Sequence, residues 1–377
     1  MLMFKSLFAE QDVNTGRQID FDYLKGIALI FIFVIHSFQA SRTPMDDLVR
    51  ALFVFCSMFE AGLFIFVAGF GTVYSKNSSP ENLAKNGVIL TAEQYASNML
   101  YIYTGYVSYL ILKDSFTPEG LKNLERFMKV YTQFLNIFFI TGIIYLCLAV
   151  FKKFKCSAPV YFICGVLFTL LAPWLYEQSE IIVPAVKNFS PALAYVINAL
   201  IGKDYFISFT PFFFMPYALI GISAGLLYKR INNKFEFYKI SALVCFIIAL
   251  AWWAWVFYNN NDLNAIYNYV IPSYKRPGLL YVTASIAHVF LFAALIYFIQ
   301  VKFKALNSKL ISFIKRELLY FSKHISKFYA LHIAVYILFY GLHGMLPFQT
   351  WQAWLLILPA MALTDIIIRI YNYIINL

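Results

Sequence analysis

Long apolar runs constrain the fold of this sequence more than any other feature. Ten of them have the length of a membrane span: 23–40, 51–74, 92–112, 128–150, 158–176, 207–228, 239–258, 278–301, 319–343 and 351–373. Crossing the roughly 30 Å hydrocarbon core of a bilayer takes about 20 mostly apolar residues. Only 13% of the residues are charged, against roughly a quarter in soluble domains, which excludes a water-soluble globule. The sequence therefore predicts an all-α, polytopic integral membrane protein of about ten transmembrane helices.

The distribution of basic residues predicts how these helices are oriented. The formal net charge is +11, but the lysines and arginines form short clusters between the apolar runs. If the N-terminus is cytoplasmic, the inside loops include the basic segments 74–87, 152–155, 229–239 and 302–316. The positive-inside rule then predicts that both termini are cytoplasmic. The same dispersion argues against nucleic acid as a partner, because nucleic-acid-binding domains gather their charge on one face.

The remaining pattern predicts one transmembrane domain over residues 1–377, with no appended soluble domain and no cleaved signal peptide. The five cysteines show no CxxC pair and no metal-ligand spacing, so we expect small packed side chains and no metal site. The segment 177–206 is too polar to span cleanly. We expect it outside, as a segment lying on the headgroups, a re-entrant helix or a lid over an acceptor site.

Ionisable residues inside the predicted spans are costly in lipid and usually mark a site or a buried pair. The main ones are His36, Glu60, His288, His332 and Asp365. Asp365 has Arg369 one helical turn later, so an ion pair within the helix explains it. His288 is equally open to a hydrogen bond across helices and to a functional role.

The charges that precede His36 on the same helix set it apart from the other membrane histidines. Lys25 and His36 are about three turns, roughly 16 Å, apart and lie near the same helix face. That face would present a cation near the cytoplasmic surface and an imidazole in the outer half of the membrane. An imidazole kept neutral by desolvation can serve as a general base.

Three blocks of the sequence carry recognisable motifs. The first, residues 17–37, reads RQIDFDYLKGIALIFIFVIHS, the second, residues 59–70, reads FEAGLFIFVAGF, and the third, residues 325–332, reads ISKFYALH. In content and order they resemble the motifs of the acyltransferase-3 family of polytopic membrane acyltransferases, and the resemblance covers most of the chain. Many members have Arg at the position of Lys25 and His at that of Glu60, and the third block is similar to a late-helix motif ending in Tyr-x-x-His.

This resemblance implies transfer of an acyl group, expected to be acetyl, from cytoplasmic acyl-CoA to a hydroxyl of an extracytoplasmic glycan or envelope molecule. His36 is the expected general base, in a multi-pass protein of the bacterial plasma membrane. The other expected catalytic residues are Glu60, Tyr329 and His332. Coenzyme A is anionic and cannot cross lipid, so basic side chains at the cytoplasmic mouth should meet its phosphates. The candidates are Arg17, Lys25, Lys76, Lys315 and Arg316.

Other interpretations stay open at this point. The segments 274–281 and 221–225 resemble membrane acetyltransferases of the heparan-glucosaminide N-acetyltransferase type, which acylate an amino sugar. Close helix packing explains Gly221 and Gly225 equally well. A transporter or flippase also carries intramembrane His and Glu, although the inverted repeat common in transporters is not visible. The acceptor (a glycan or a lipid-linked molecule), the acyl chain length, a covalent acyl-histidine and a homodimer are all left open.

Overall fold

The computed structural model describes residues 7–39, 45–202, 209–302 and 309–375, and their regular structure is helical apart from isolated bridge residues, among them the pair Phe8 and Ile231. The all-α prediction is confirmed. The helices are α1 (Ile19–Gln39), α2 (Asp47–Ser57), α3 (Ala61–Tyr74), α4 (Pro80–Leu112), α5 (Pro118–Gln133), α6 (Ile137–Lys153), α7 (Ala158–Phe189), α8 (Pro191–Ile201), α9 (Pro211–Tyr228), α10 (Lys234–Asn259), α11 (Leu263–Lys275), α12 (Leu279–Lys302), α13 (Lys309–Lys323), α14 (Ile325–Leu342) and α15 (Thr350–Ile375).

Eight stretches of the described residues are long and apolar enough to cross a membrane, so the chain is a multi-pass membrane protein by helix length and hydropathy. They are α1, α2 with α3, α7, α9, α10, α12, α14 and α15. Two predicted spans are not among them. The run 92–112 lies in α4, which carries buried polar residues, and the run 128–150 is divided between α5 and a 17-residue α6. The count of ten and the cytoplasmic termini remain predictions.

Two further boundaries differ from the predicted ones. The predicted span 319–343 is interrupted at His324, between α13 and α14. Helix α7 runs 32 residues to Phe189, well beyond the predicted end at 176. The Ser190 hydroxyl then caps α8 by accepting a hydrogen bond from the backbone N–H of Leu193 at 3.3 Å. Most of the predicted loop 177–206 is therefore helix, and its residues 203–206 lie outside the described ranges.

Glycines let the central helices approach one another closely. A Cβ atom on Gly221 would lie 2.2 Å from the carbonyl oxygen of Phe66, so α9 can pack on α3 only with glycine there. A Cβ atom on Gly26 would lie 2.5 Å from the carbonyl oxygen of Leu318. Glycine at this position therefore allows α13 to pack closely against α1. Packing thus explains Gly221. Close approach of this kind is how helices associate in lipid, where burial of apolar surface provides little driving force.

Buried polar side chains of α4 form hydrogen bonds with the backbone at the interruption between α5 and α6. The Gln94 Oε1 atom accepts a hydrogen bond from the backbone N–H of Asn136 at 3.0 Å, and the Asn98 Nδ2 atom donates to the carbonyl of Phe134 at 2.8 Å. The Asn136 side chain in turn caps α6 by accepting from the backbone N–H of Phe138 at 3.0 Å. Backbone groups freed by a break must be satisfied within a membrane protein, and these contacts do so.

Candidate functional site

Two cavities follow one another along α1 and α14 and share the side chain of Tyr329. The first, of about 330 Å³, is bordered by Lys25 of α1 and Ile325 of α14, and we call it the Lys25 cavity. The second, of about 450 Å³, is bordered by His36 of α1 and Ile333 of α14, and we call it the His36 cavity. Tyr329 borders both. The two cavities therefore lead from opposite ends of the parallel helices α1 and α14 to the same side chain.

The imidazoles of His36 and His332 lie side by side, with ring centroids 4.9 Å apart. His332 is fully buried, and its Nδ1 atom is 2.9 Å from the carbonyl oxygen of Phe328. Because a carbonyl only accepts hydrogen bonds, Nδ1 carries the proton and Nε2 keeps its lone pair. That Nε2 atom has no hydrogen-bond partner among the described residues. The pair thus contains a buried basic nitrogen that forms no hydrogen bond with the described residues.

Tyr336 joins α14 to α1, and Tyr329 packs beside His332 on α14 itself. The Tyr329 ring lies 5.2 Å from that of His332, centroid to centroid. The Tyr336 hydroxyl donates to the carbonyl oxygen of Phe33 at 2.7 Å and lies 2.7 Å from the Ser37 hydroxyl. These bonds join α1 and α14 at the level of the two histidines. Sequence reasoning missed Tyr336, although it stands one helical turn after His332.

Glu60 reaches the His36 cavity because the helix breaks just before it. Residues 58–60 separate α2 from α3, and Glu60 occupies the N-cap position of α3. Two side chains of α12 hold the break: the Tyr281 hydroxyl donates to the carbonyl of Ser57 at 3.1 Å, and the Ser285 hydroxyl donates to that of Met58 at 3.2 Å. Glu60 is buried and borders the cavity together with His36.

Asn136 adds a hydrogen-bond donor to the His36 cavity that sequence reasoning missed. Its Oδ1 atom accepts from the backbone N–H of Phe138, which fixes the amide so that Nδ2 is the free end. Nδ2 has no partner among the described residues, and Asn136 is only 4% exposed. A buried unsatisfied donor at a cavity is costly unless something binds there. The one sequence signal was an Asn directly before the apolar run of α6.

Two cations predicted to bind phosphate, Arg17 just before α1 and Lys25 within it, share a single counter-ion. Asp22 accepts from Arg17 and lies 2.9 Å from the Nζ atom of Lys25. The Ser322 hydroxyl also donates to Asp22, at 3.0 Å. Lys25 borders the cavity named after it, whereas the Arg17 side chain is 60% exposed. One carboxylate therefore offsets much of the positive charge assigned to this mouth.

In the part of the chain that the structure describes, the side chains of the other three predicted basic residues do not line the Lys25 cavity, although Lys76 stands between two residues that do, Ser75 and Asn77. Lys76 is exposed in the turn after α3, and Lys315 borders a separate apolar cavity with Tyr23. Arg316 is 3.1 Å from the carboxylate of Glu317.

The remaining membrane histidine and acid have structural partners. The Trp253 Nε1 atom donates to His288 Nε2 at 3.0 Å, and His288 Nδ1 donates to the carbonyl of Ala284 at 2.7 Å. Of the two interpretations left open for His288, the structure shows the hydrogen bond across helices. Arg369 Nε lies 2.8 Å from the carboxylate of Asp365, which confirms the ion pair within α15.

Comparisons with protein-family models, with curated proteins and with solved structures find no match to this chain. The chain is therefore described by what its own helices establish, a polytopic all-helical membrane protein with eight candidate spans among the described residues. The candidate functional site consists of the His36 cavity, the Lys25 cavity and Tyr329, which borders both.

Proposed function

We propose that this protein is a membrane-embedded acyltransferase, similar to the acyltransferase-3 family. It moves an acyl group, expected to be acetyl, from cytoplasmic acyl-CoA to a hydroxyl of an extracytoplasmic glycan or envelope molecule. The observation that carries the proposal is that Tyr329 borders both cavities. A donor entering along the Lys25 cavity and an acceptor entering the His36 cavity would meet at the same few side chains.

In this proposal His36 is the general base. An alcohol is a weak nucleophile near neutral pH, so its proton must leave as its oxygen attacks the thioester carbonyl. His36 accepts that proton from the acceptor hydroxyl while the new ester bond forms. The carbon–sulfur bond then breaks, and the proton passes to the departing thiolate of coenzyme A. The ring of His332 lies beside that of His36 and helps to position it. The Nε2 atom of His332 is a second nitrogen that can accept a proton.

The tetrahedral intermediate needs donors for its oxyanion, and Asn136 Nδ2 and the Tyr329 hydroxyl are the candidates that border the His36 cavity. The Asn136 amide is held by its capping bond to Phe138 before any substrate arrives. Donors fixed in this way cost no reorganisation during the reaction and act strongly in a dry site. Glu60 is the nearby acid available to orient the acceptor.

The Lys25 cavity suits the uncharged arm of the donor better than its phosphates. Its wall is mainly apolar and includes Val67 together with Phe64 and Phe138, whose rings pack edge-on against that of Tyr329. The pantetheine arm carries amides and a thioester and no charge, so it can enter such a space at modest desolvation cost. The charged nucleotide end would stay at the mouth, outside the hydrocarbon region.

The proposal is tested in cells of the native host in which the chromosomal gene is replaced by variants. Envelope glycans are isolated and their acyl groups are measured before and after mild alkali, which cleaves esters and leaves amides. We expect alkali-labile acetyl groups with the wild type and with His288→Ala, and none with His36→Ala at equal protein abundance. Alkali-stable acyl groups that depend on His36 would favour the amino-sugar alternative. Unchanged acyl groups with His36→Ala would contradict the proposal.

A further inference from the structure

A third cavity adjoins the Lys25 cavity and is lined by three lysines. We call it the lysine cavity. It has a volume of about 410 Å³, and Thr72 borders both it and the Lys25 cavity. Lys152, Lys155 and Lys229 line it together with the aromatic and apolar residues Tyr161, Val73, Ile222 and Leu226. The lining therefore combines three lysines with an apolar surface.

Little negative charge offsets these lysines. Lys152 Nζ donates to two neutral acceptors, the Ser78 hydroxyl at 2.6 Å and the carbonyl of Thr72 at 3.1 Å. Within the described ranges neither Lys152 nor Lys155 has a carboxylate at ion-pair distance. Lys229 lies 3.7 Å from Asp12, a carboxylate that also lies 3.9 Å from Arg230. The lysine cavity thus holds more positive charge than its surroundings neutralise.

The turn after α6 brings two of the lysines to the same space. Lys155 has a φ of 49°, in the left-handed region that favours glycine or asparagine. Its backbone N–H donates to the carbonyl of Lys152 at 3.0 Å, which closes the turn. Lys155 therefore borders the cavity only three residues after Lys152, whereas the exposed Lys153 between them does not.

Lys152 lies beyond the eight candidate spans, near the end of α6. The burial of its side chain and a neighbouring lysine of the cavity both affect its pKa. Burial lowers the pKa of Lys152, and the neighbouring charge of Lys229 lowers it further. A bound anion would oppose both effects, because it favours the charged form of each lysine. Burying Lys152 close to the like charge of Lys229 costs free energy, and a bound anion would lower that cost.

We propose that Lys152, Lys155 and Lys229 form a binding site for phosphate groups. Lysine ammonium groups bind phosphate through charge-assisted hydrogen bonds. The apolar wall accepts the remainder of a phosphorylated molecule, either a nucleotide base or a lipid chain. Adjacency to the Lys25 cavity favours the nucleotide end of the acyl donor, and this last link rests on the proposed function. The phosphate site itself does not.

The test measures binding of adenosine 3′,5′-bisphosphate to the full chain in nanodiscs of zwitterionic lipid. Lys155→Gln and Lys229→Gln are compared with Lys153→Gln, which removes the same charge from an exposed neighbouring position that does not border the cavity. Lys155 is itself exposed, so its substitution leaves the buried packing intact. We expect binding roughly tenfold weaker or more for the cavity variants, the value of one charge-assisted hydrogen bond. Lys153→Gln should bind as the wild type does.

A second arm uses nanodiscs that contain phosphatidylglycerol and measures the rise in melting temperature over zwitterionic discs. If only this rise depends on Lys155 and Lys229, the phosphate site stands and its ligand is a lipid headgroup. If neither measurement responds to these lysines more than to Lys153, the inference is overturned. Lysine-dependent binding without acyl transfer would refute only the proposed function. Acyl transfer without lysine-dependent binding would refute only the phosphate site.

Discussion

His288 and His332 are two buried histidines that differ in how completely their own ring nitrogens are hydrogen-bonded and in whether the His36 cavity lies nearby. Both ring nitrogens of His288 have partners, Trp253 on α10 and the carbonyl of Ala284. In the second region, His332 Nε2 and Asn136 Nδ2 are buried without hydrogen-bond partners among the described residues. Beside His288, Trp252 Nε1 is also without a partner among the described residues. His36 and Asn136 border the His36 cavity, and the His332 ring lies beside that of His36. Burial and a missing hydrogen-bond partner therefore occur in both regions, and what makes the second one the candidate site is the His36 cavity beside it.

The largest expected effect separates His36 from His288. Replacing His36 by Ala removes the proposed base, and acyl transfer should fall by about 10²- to 10⁴-fold, the usual contribution of general-base catalysis. His288→Ala should keep the wild-type rate per folded molecule. Both rates are measured as acetyl transfer by purified protein, normalised to the folded fraction from size-exclusion chromatography. If both variants lose the same fraction of the transfer rate, His36 has no special role compared with His288 and the prediction is wrong.

Asn136→Ser is expected to come next. Serine can keep the N-cap of α6 but has no amide donor to offer the oxyanion. The kcat should fall by about 10²-fold, as when a single oxyanion donor is removed. The KM for acyl-CoA should change little, because Asn136 borders only the His36 cavity of the two. The matched control is Asn233→Ser, another N-cap asparagine, which caps α10 and should leave kcat unchanged. A change in KM alone would assign Asn136 to binding rather than to chemistry.

His288→Phe should reduce stability and leave catalysis intact. It strands the Trp253 Nε1 donor in an apolar interior, at a cost of about 1–3 kcal/mol in the free energy of unfolding. Chemical unfolding in detergent measures this cost. Adding Trp253→Phe removes the stranded donor, so the double variant should recover part of the loss. If the double variant is as unstable as the sum of its single changes, the hydrogen bond is not what stabilises this region.

Tyr336→Phe should have the smallest effect, because Tyr336 lies in the functional region yet is satisfied. Loss of its hydroxyl removes the bond to the carbonyl of Phe33 and the contact with Ser37, worth about 0.5–1.5 kcal/mol of stability. Unfolding measurements check the stability, and the transfer assay should show a rate per folded molecule close to that of the wild type. A loss of rate as large as that of Asn136→Ser would place Tyr336 among the reacting groups.

Sequence reasoning predicted the helical membrane fold because apolar run length reports directly on spans. It also selected His36, Tyr329 and His332, which the structure brings together because α1 and α14 are parallel neighbours. Asn136 was out of reach, since its place depends on a helix break held by Gln94, 42 residues earlier in the chain. Charge alone could not rank the basic residues either. Sequence reasoning chose Lys315 and Arg316 as phosphate ligands and did not choose Lys152. Which lysines line a cavity, and which are paired with a carboxylate, depends on residues from other helices.

The central claim is that donor and acceptor approach from opposite ends and meet beside His36 and Tyr329. Sealed proteoliposomes with uniformly oriented protein test it most directly, with envelope glycan from the native host inside and radiolabelled acetyl-CoA outside. We expect the enclosed glycan to be labelled with the wild type and with His288→Ala, and to stay unlabelled with His36→Ala. Labelling at the wild-type rate by His36→Ala, or only when donor and glycan share one side, would contradict the account.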